Sequence, residues 1–261
     1  MRSMRFVILL LLLVFSALPC ESSEVNQRLE SEGSDTGGSR LFQEFIERLE
    51  PVAMEMKISN EPSVSGWVNH LYLDIKRPLI GGIRIEELKV EASGIKFTPT
   101  SSWNGENIEI ENILYVKAFG KLAEDDINRS ITQEEFGEEE HWHDLSLDFT
   151  ESGLYAKGYY LAKLLMIKLD ILIEITGDLA IVDKQQIWLD NYSVKLNKVG
   201  LPQSLTDKAI SKIQPILDLS KFMFPLKLDS VSIDENNVTL RSRFLPQDFE
   251  GIAYNFNSKG K

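Results

Sequence analysis

The sequence predicts an α+β fold built on antiparallel strands, and three observations predict it. Most of the chain alternates large apolar and polar residues with period 2, the pattern of strands with one buried and one wet face. Two segments instead repeat their apolar residues every three to four positions, the pattern of amphipathic helices. The strands also come in runs rather than alternating singly with helices, as a parallel βαβ sheet would require. With 43% hydrophobic and 26% charged residues in 261, the chain can bury a sizeable core.

The elements follow in order. Arg2 and Arg5 precede an apolar run, Phe6–Leu18. A basic flank, a short apolar stretch and then small residues read as a secretory signal over residues 1–20. The run is shorter than the roughly 20 residues that cross a bilayer. Cys20 is the only cysteine, so no intramolecular disulfide can form and the core alone must hold the domain. It sits where a bacterial lipoprotein cysteine would sit, which makes it a candidate for lipidation, although Pro19 stands where such signals prefer a small residue. Residues 21–40 are polar, acidic and rich in Ser and Gly, as a flexible linker would be. A single domain is expected over 41–250, with 251–261 as a tail.

"LFQEFIERLEPVAMEM" places Leu41, Phe45 and Leu49 on one helix face, which Pro51 ends or kinks. Period 2 then takes over. Trp67, Leu71, Leu73 and Ile75 form one apolar row, and Leu88, Val90 and Ala92 the next. At Ser93-Gly94 the parity changes and Ile95 and Phe97 continue, which suggests a bulge or tight turn. Ile108, Ile110, Leu114, Val116 and Ala118 make a further row. "EDDINRSI" (124–131) is a short helix, "TQEEFGEEEHWHD" (132–144) a charged loop, and Leu145, Leu147 and Phe149 start the next strand. "IKLDILIEITGDLAIV" (167–182) carries Leu169, Ile171, Ile173 and Ile175 on one side. "PQSLTDKAISKIQPIL" (202–217) reads as a second long helix capped by Ser204, with Leu205, Ala209, Ile213 and Leu217 as its buried stripe. Val231 and Ile233 with Val238 and Leu240 form a hairpin around Asn236-Asn237.

Several functions are excluded by what is missing. A net charge of −12 leaves no basic surface for a nucleic-acid partner, and none for docking on anionic headgroups by charge alone. There is no G-x-S-x-G, no P-loop, no G-x-G-x-x-G and no cysteine in the domain, so neither an enzyme nor a cofactor is expected. His141 and His143, with Glu138, Glu140 and Asp144, form the one tempting metal set, but a charged loop fixes no four ligands, and no metal is expected. Asn128, Asn191 and Asn237 begin N-x-[ST] triplets.

The C-terminal third carries a resemblance. "VGLPQSLTDKAISKIQPILDLSKFMFPLKLDSVSIDENNVTL" (199–240) resembles the LmeA-like phospholipid-binding family of bacterial envelope proteins, as do "LIGGIRIEELKVEASGIKF" (79–97) and "ESGLYAKGYYL" (151–161). The resemblance implies a fold similar to tubular lipid-binding domains, in which a strongly curved, barrel-like antiparallel sheet wraps one or two long helices around an apolar cavity. It also implies export to the periplasm or cell envelope, a phospholipid or other acyl-lipid partner, and peripheral contact with a membrane surface. It makes the N-x-[ST] triplets coincidental. Leu169, Ile171, Ile173, Ile175, Leu205, Ala209, Ile213, Leu217, Val238 and Leu240 are then candidate lipid-lining residues. The alternative is a filled core, in which these aliphatics only pack together and the protein is an envelope adaptor working through its outer surface.

Overall fold

The computed structural model describes residues 36–103, 108–133, 141–150, 153–164, 167–197 and 203–258. The expected signal segment, Cys20 and residues 21–35 of the linker lie outside the described residues, and so do Glu138 and Glu140. No helix of the described residues is long and apolar enough to cross a membrane.

Helix α1 (Gly37–Leu49) starts earlier than expected, inside the stretch assigned to the linker. Thr36 caps it reciprocally: its Oγ1 accepts from Ser39 N at 3.1 Å, and Ser39 Oγ accepts from Thr36 N at 3.0 Å. Gly38 looks like linker in sequence, yet it is the close approach that seats the helix. A Cβ there would stand 2.2 Å from Tyr254 Oη. Leu41, Phe45 and Leu49 are buried as their spacing predicts. Glu50 turns left-handed at φ 43° and the helix stops before Pro51.

The strands are β1 (Ala53–Ile58), β2 (Trp67–Lys76), β3 (Leu79–Ile80), β4 (Ile83–Arg84), β5 (Glu87–Phe97), β6 (Ile110–Ala123), β7 (His141–Thr150), β8 (Gly153–Leu164), β9 (Ile167–Val182), β10 (Gln186–Leu196), β11 (Leu217–Asp218), β12 (Ser230–Ile233), β13 (Asn237–Arg241) and β14 (Ile252–Asn257). They form a seven-stranded sheet in the order β12-β13-β6-β5-β2-β1-β14, a five-stranded sheet in the order β11-β10-β9-β8-β7, and the hairpin β3-β4. Every pairing is antiparallel. The described residues are thus mostly antiparallel β, with a curled half-barrel sheet and three α-helices. β14 was expected to be tail. Instead its alternating Ile252, Tyr254 and Phe256 pair it along the whole of β1.

Simple alternation misplaces several residues, for one recurrent reason. On β2, Val68 is buried and Trp67 is 43% exposed, whereas Leu71, Leu73 and Ile75 are buried. β5 changes parity at Gly94, whose φ is +60°, and on β6 Ile113 turns inward while Leu114 is 78% exposed. Three neighbouring strands therefore change face along one line, and a Cβ on Gly94 would stand 2.9 Å from Leu114 Cβ. β7 and β10 carry register shifts of their own at Asp144 and Asn191, both with positive φ. Bulges bend strands and re-aim side chains, which is how a flat sheet curls.

The same device overturns the charged-loop expectation for 141–144, while 134–140 lie outside the described residues. β7 begins at His141, and the bulge at Asp144 puts Trp142 on the inner side with Leu145, Leu147 and Phe149. Trp142 Nε1 donates to Ala209 O at 2.9 Å and so anchors the late helix.

That helix, α3 (Gln203–Lys212), is shorter than expected, because the chain leaves it before Pro215. Its buried residues are Thr206, Ala209 and Ile210 rather than a stripe through Leu205. Ser204 lies within the helix, not at its cap. Leu217 belongs to β11, opposite Ile187. Among the described residues the α-helices have 13, 10 and 10 residues, so the expected wrapping around one or two long helices is not seen among them.

Helix α2 (Glu124–Gln133) closes the free edge of β7 with side chains. Asn128 Nδ2 donates to Leu147 O at 2.8 Å while its Oδ1 accepts from Leu147 N at 2.7 Å, and Glu124 Oε2 accepts from Phe149 N at 2.6 Å. Below them Arg77 grips the buried Asp126 with two bonds, of 2.8 and 2.6 Å, and Arg129 adds another. Burial pushes the Asp126 carboxyl up, but the two guanidiniums outweigh it and hold the group below the usual carboxylate range. A lowered folded value stabilises above the unfolded value of about 3.9 and is lost as pH falls through the folded one. Urea unfolding should therefore show stability falling more steeply below about pH 4 in the wild type than in Asp126→Asn. Equal slopes would mean that the Arg77–Asp126 pair contributes nothing.

Candidate functional site

A partly open, mostly apolar cavity lies against the inner face of the five-stranded sheet, with a volume of about 240 Å³. Leu145 and Leu147 of β7, Ala156 of β8 and Leu189 of β10 form one wall. Gly81 and Ile83 of the β3–β4 hairpin, Ser130 of α2, and Ile213, Pro215, Ile216 and Leu217 after α3 form the other. Two charged residues complete the lining, Lys212 and Asp218. Lys212 is exposed, so it stands at the rim.

Backbone hydrogen bonds hold the second wall against the first. Ile216 N donates to Ile187 O at 2.8 Å, and Leu219 N donates to Gln185 O at 3.0 Å. Ser130 Oγ donates to Gly82 O at 3.0 Å and ties α2 to the β3–β4 turn. Asp218 Oδ1 accepts from Ser220 N at 2.9 Å, which fixes its carboxylate.

The sequence-derived candidates divide into three groups. Ile213 and Leu217 line the cavity. Ile171, Ile173 and Ile175 are buried on the inner side of β9, with Leu169 half-buried at the same strand's start, but none of them lines the cavity. Ala209 is buried beneath Trp142 and Leu205 is half-buried on α3, while Val238 and Leu240 are buried in the seven-stranded sheet. Sequence reasoning missed Ala156, Leu189 and Ile216 as lining. Ala156 had a detectable signal, since β-pairing places it beside Ile175 and Leu147 in one cross-strand row.

Two other places offer less. An open surface depression of about 430 Å³ beside Lys57 and Phe249 is bridged by the Lys57–Asp248 ion pair at 2.6 Å and has Phe249 as its one large apolar side chain. His143, expected in the charged loop, stands on the outer side of β7. Its Nδ1 lies 3.0 Å from Asp144 and its Nε2 3.0 Å from Asp170, so both ring nitrogens are engaged. The Asp144 bond, aided by Asp170 and opposed by burial, raises the imidazole above its ordinary value. No group of three or more metal-ligating side chains occurs among the described residues.

The model of the LmeA-like phospholipid-binding family matches residues 39–243. The chain belongs to this family. The matched region contains every residue that lines the cavity and stops short of β14. Comparison with curated proteins and with solved structures gives no match. Membership in the LmeA-like family makes a lipid the partner in general terms.

Proposed function

We propose that this LmeA-like protein is exported to the bacterial envelope and binds phospholipid by taking acyl-chain carbons into the cavity between the five-stranded sheet and the segment after α3. The observation that carries the proposal is the cavity: apolar on both walls, charged at its edge, and wholly within the family match. Binding of this kind draws on area removed from water, about 0.8 kcal/mol per buried CH₂. It needs no reactive side chain, in keeping with a sequence that carries no nucleophile motif. Export rests on the signal pattern of residues 1–20, and lipid carriage or envelope maintenance is the role that suits an exported lipid binder.

The volume sets the extent of the contact. A cavity of about 150 Å³ holds the six carbons of benzene, so 240 Å³ takes roughly eight to ten methylenes. The site therefore grips about half of a long acyl chain. The deciding experiment is denaturing mass spectrometry of organic extracts from the purified protein. Phospholipid near one equivalent is expected. Its absence, together with no uptake of a fluorescent phospholipid, would leave the adaptor with a filled core as the better account.

A further inference from the structure

We infer that the cavity rim selects a zwitterionic headgroup, with Lys212 on the phosphate and Asp218 on a primary ammonium. The inference rests on the lipid-binding function proposed above and adds the class of lipid to it.

Three observations support it. Lys212 and Asp218 are the charged residues of the cavity lining, they are of opposite sign, and they bracket the same short segment, whose Ile213, Pro215, Ile216 and Leu217 face the cavity. Both charges line the same cavity of about 240 Å³, and neither side chain is fully buried. Asp218 Oδ1 also accepts from Ser220 N, so its carboxylate is oriented before any ligand arrives. Lastly, the chain carries a net charge of −12. A headgroup of zero net charge avoids the repulsion that an anionic one meets on approach. A phosphomonoester or a second phosphate would face one lysine and one aspartate, with no net attraction from the pair.

Lys212 has another use, since a cation in the last turn of α3 complements the helix dipole. That role makes no difference to lipid choice, so headgroup preference separates the two. The full-length protein would be loaded from vesicles of equal parts phosphatidylethanolamine and phosphatidylglycerol, and its extracted lipid quantified. The wild type should enrich phosphatidylethanolamine by about tenfold, the scale of one charge-assisted contact. Asp218→Asn keeps an acceptor for Ser220 N and should bring the ratio close to that of the vesicles. Lys212→Met should lower the uptake of both phospholipids by about tenfold relative to that of diacylglycerol. A wild-type ratio equal to that of the vesicles overturns the inference alone, as does an unchanged ratio in Asp218→Asn or full phospholipid uptake by Lys212→Met. A wild type that takes up no lipid overturns the lipid-binding function and the headgroup inference together.

Discussion

Ala156→Phe is expected to abolish phospholipid uptake and leave the protein folded. Ala156 lies on the inner side of β8, between Leu147 on β7 and Ile175 on β9, and its methyl group faces the cavity. A phenyl ring there would occupy the space that the acyl carbons need. Roughly eight methylenes at about 0.8 kcal/mol each amount to about 6 kcal/mol of gross burial, of which association and ordering costs take a share. Losing most of it should weaken binding at least about 100-fold. Stability should move the other way or stay level, because the ring fills existing space rather than forcing packed side chains apart. A fluorescent-phospholipid titration and a thermal melt on the same sample check both halves. A folded variant that binds with wild-type affinity would show that the lipid sits elsewhere.

The sheet class is legible because period 2 is a backbone property, and the final hairpin is legible because a turn at Asn236-Asn237 sets Val231 and Ile233 opposite Leu240 and Val238. The errors came from places where the period is interrupted. Trp67 shares the odd positions of Leu71, Leu73 and Ile75 yet faces outward, because nothing in β2 itself marks the face change. The signal sits across the ladder, at Gly94 on β5. Trp142 was hidden in the same way by the bulge at Asp144. The late helix was read too long because Ile213 and Leu217 continue a helical spacing, although they belong to a turn and to a two-residue strand. These two residues nevertheless reach the cavity. Apolar spacing reports that a residue turns inward, whichever element carries it. It does not report how closely the opposite wall approaches, so the β9 isoleucines and the cavity wall looked alike in sequence.

Ile173→Asp separates those two environments. Ile173 is 1% exposed, opposite Gly158 on β8 and Leu196 on β10, with Ile171 and Ile175 buried on either side of it. An aspartate there either stays charged without hydration or takes up a proton and remains a buried polar group, and both cost several kcal/mol. A domain of this kind has about 5–15 kcal/mol of total stability, so the variant should be largely unfolded, as judged by circular dichroism and urea titration. Ile173→Val removes one methyl and should cost only about 0.5–1.5 kcal/mol. Leu169→Asp, at the half-buried start of the same row, should fold with a lowered melting temperature, since its carboxylate can reach water. The expected order of damage is therefore Ile173 far above Leu169. A folded, soluble Ile173→Asp with a near-native melting temperature would mean that this row borders water or a mobile ligand. The acyl site would then extend along β9 beyond the 240 Å³ lined by Leu145, Leu147, Ala156 and Leu189.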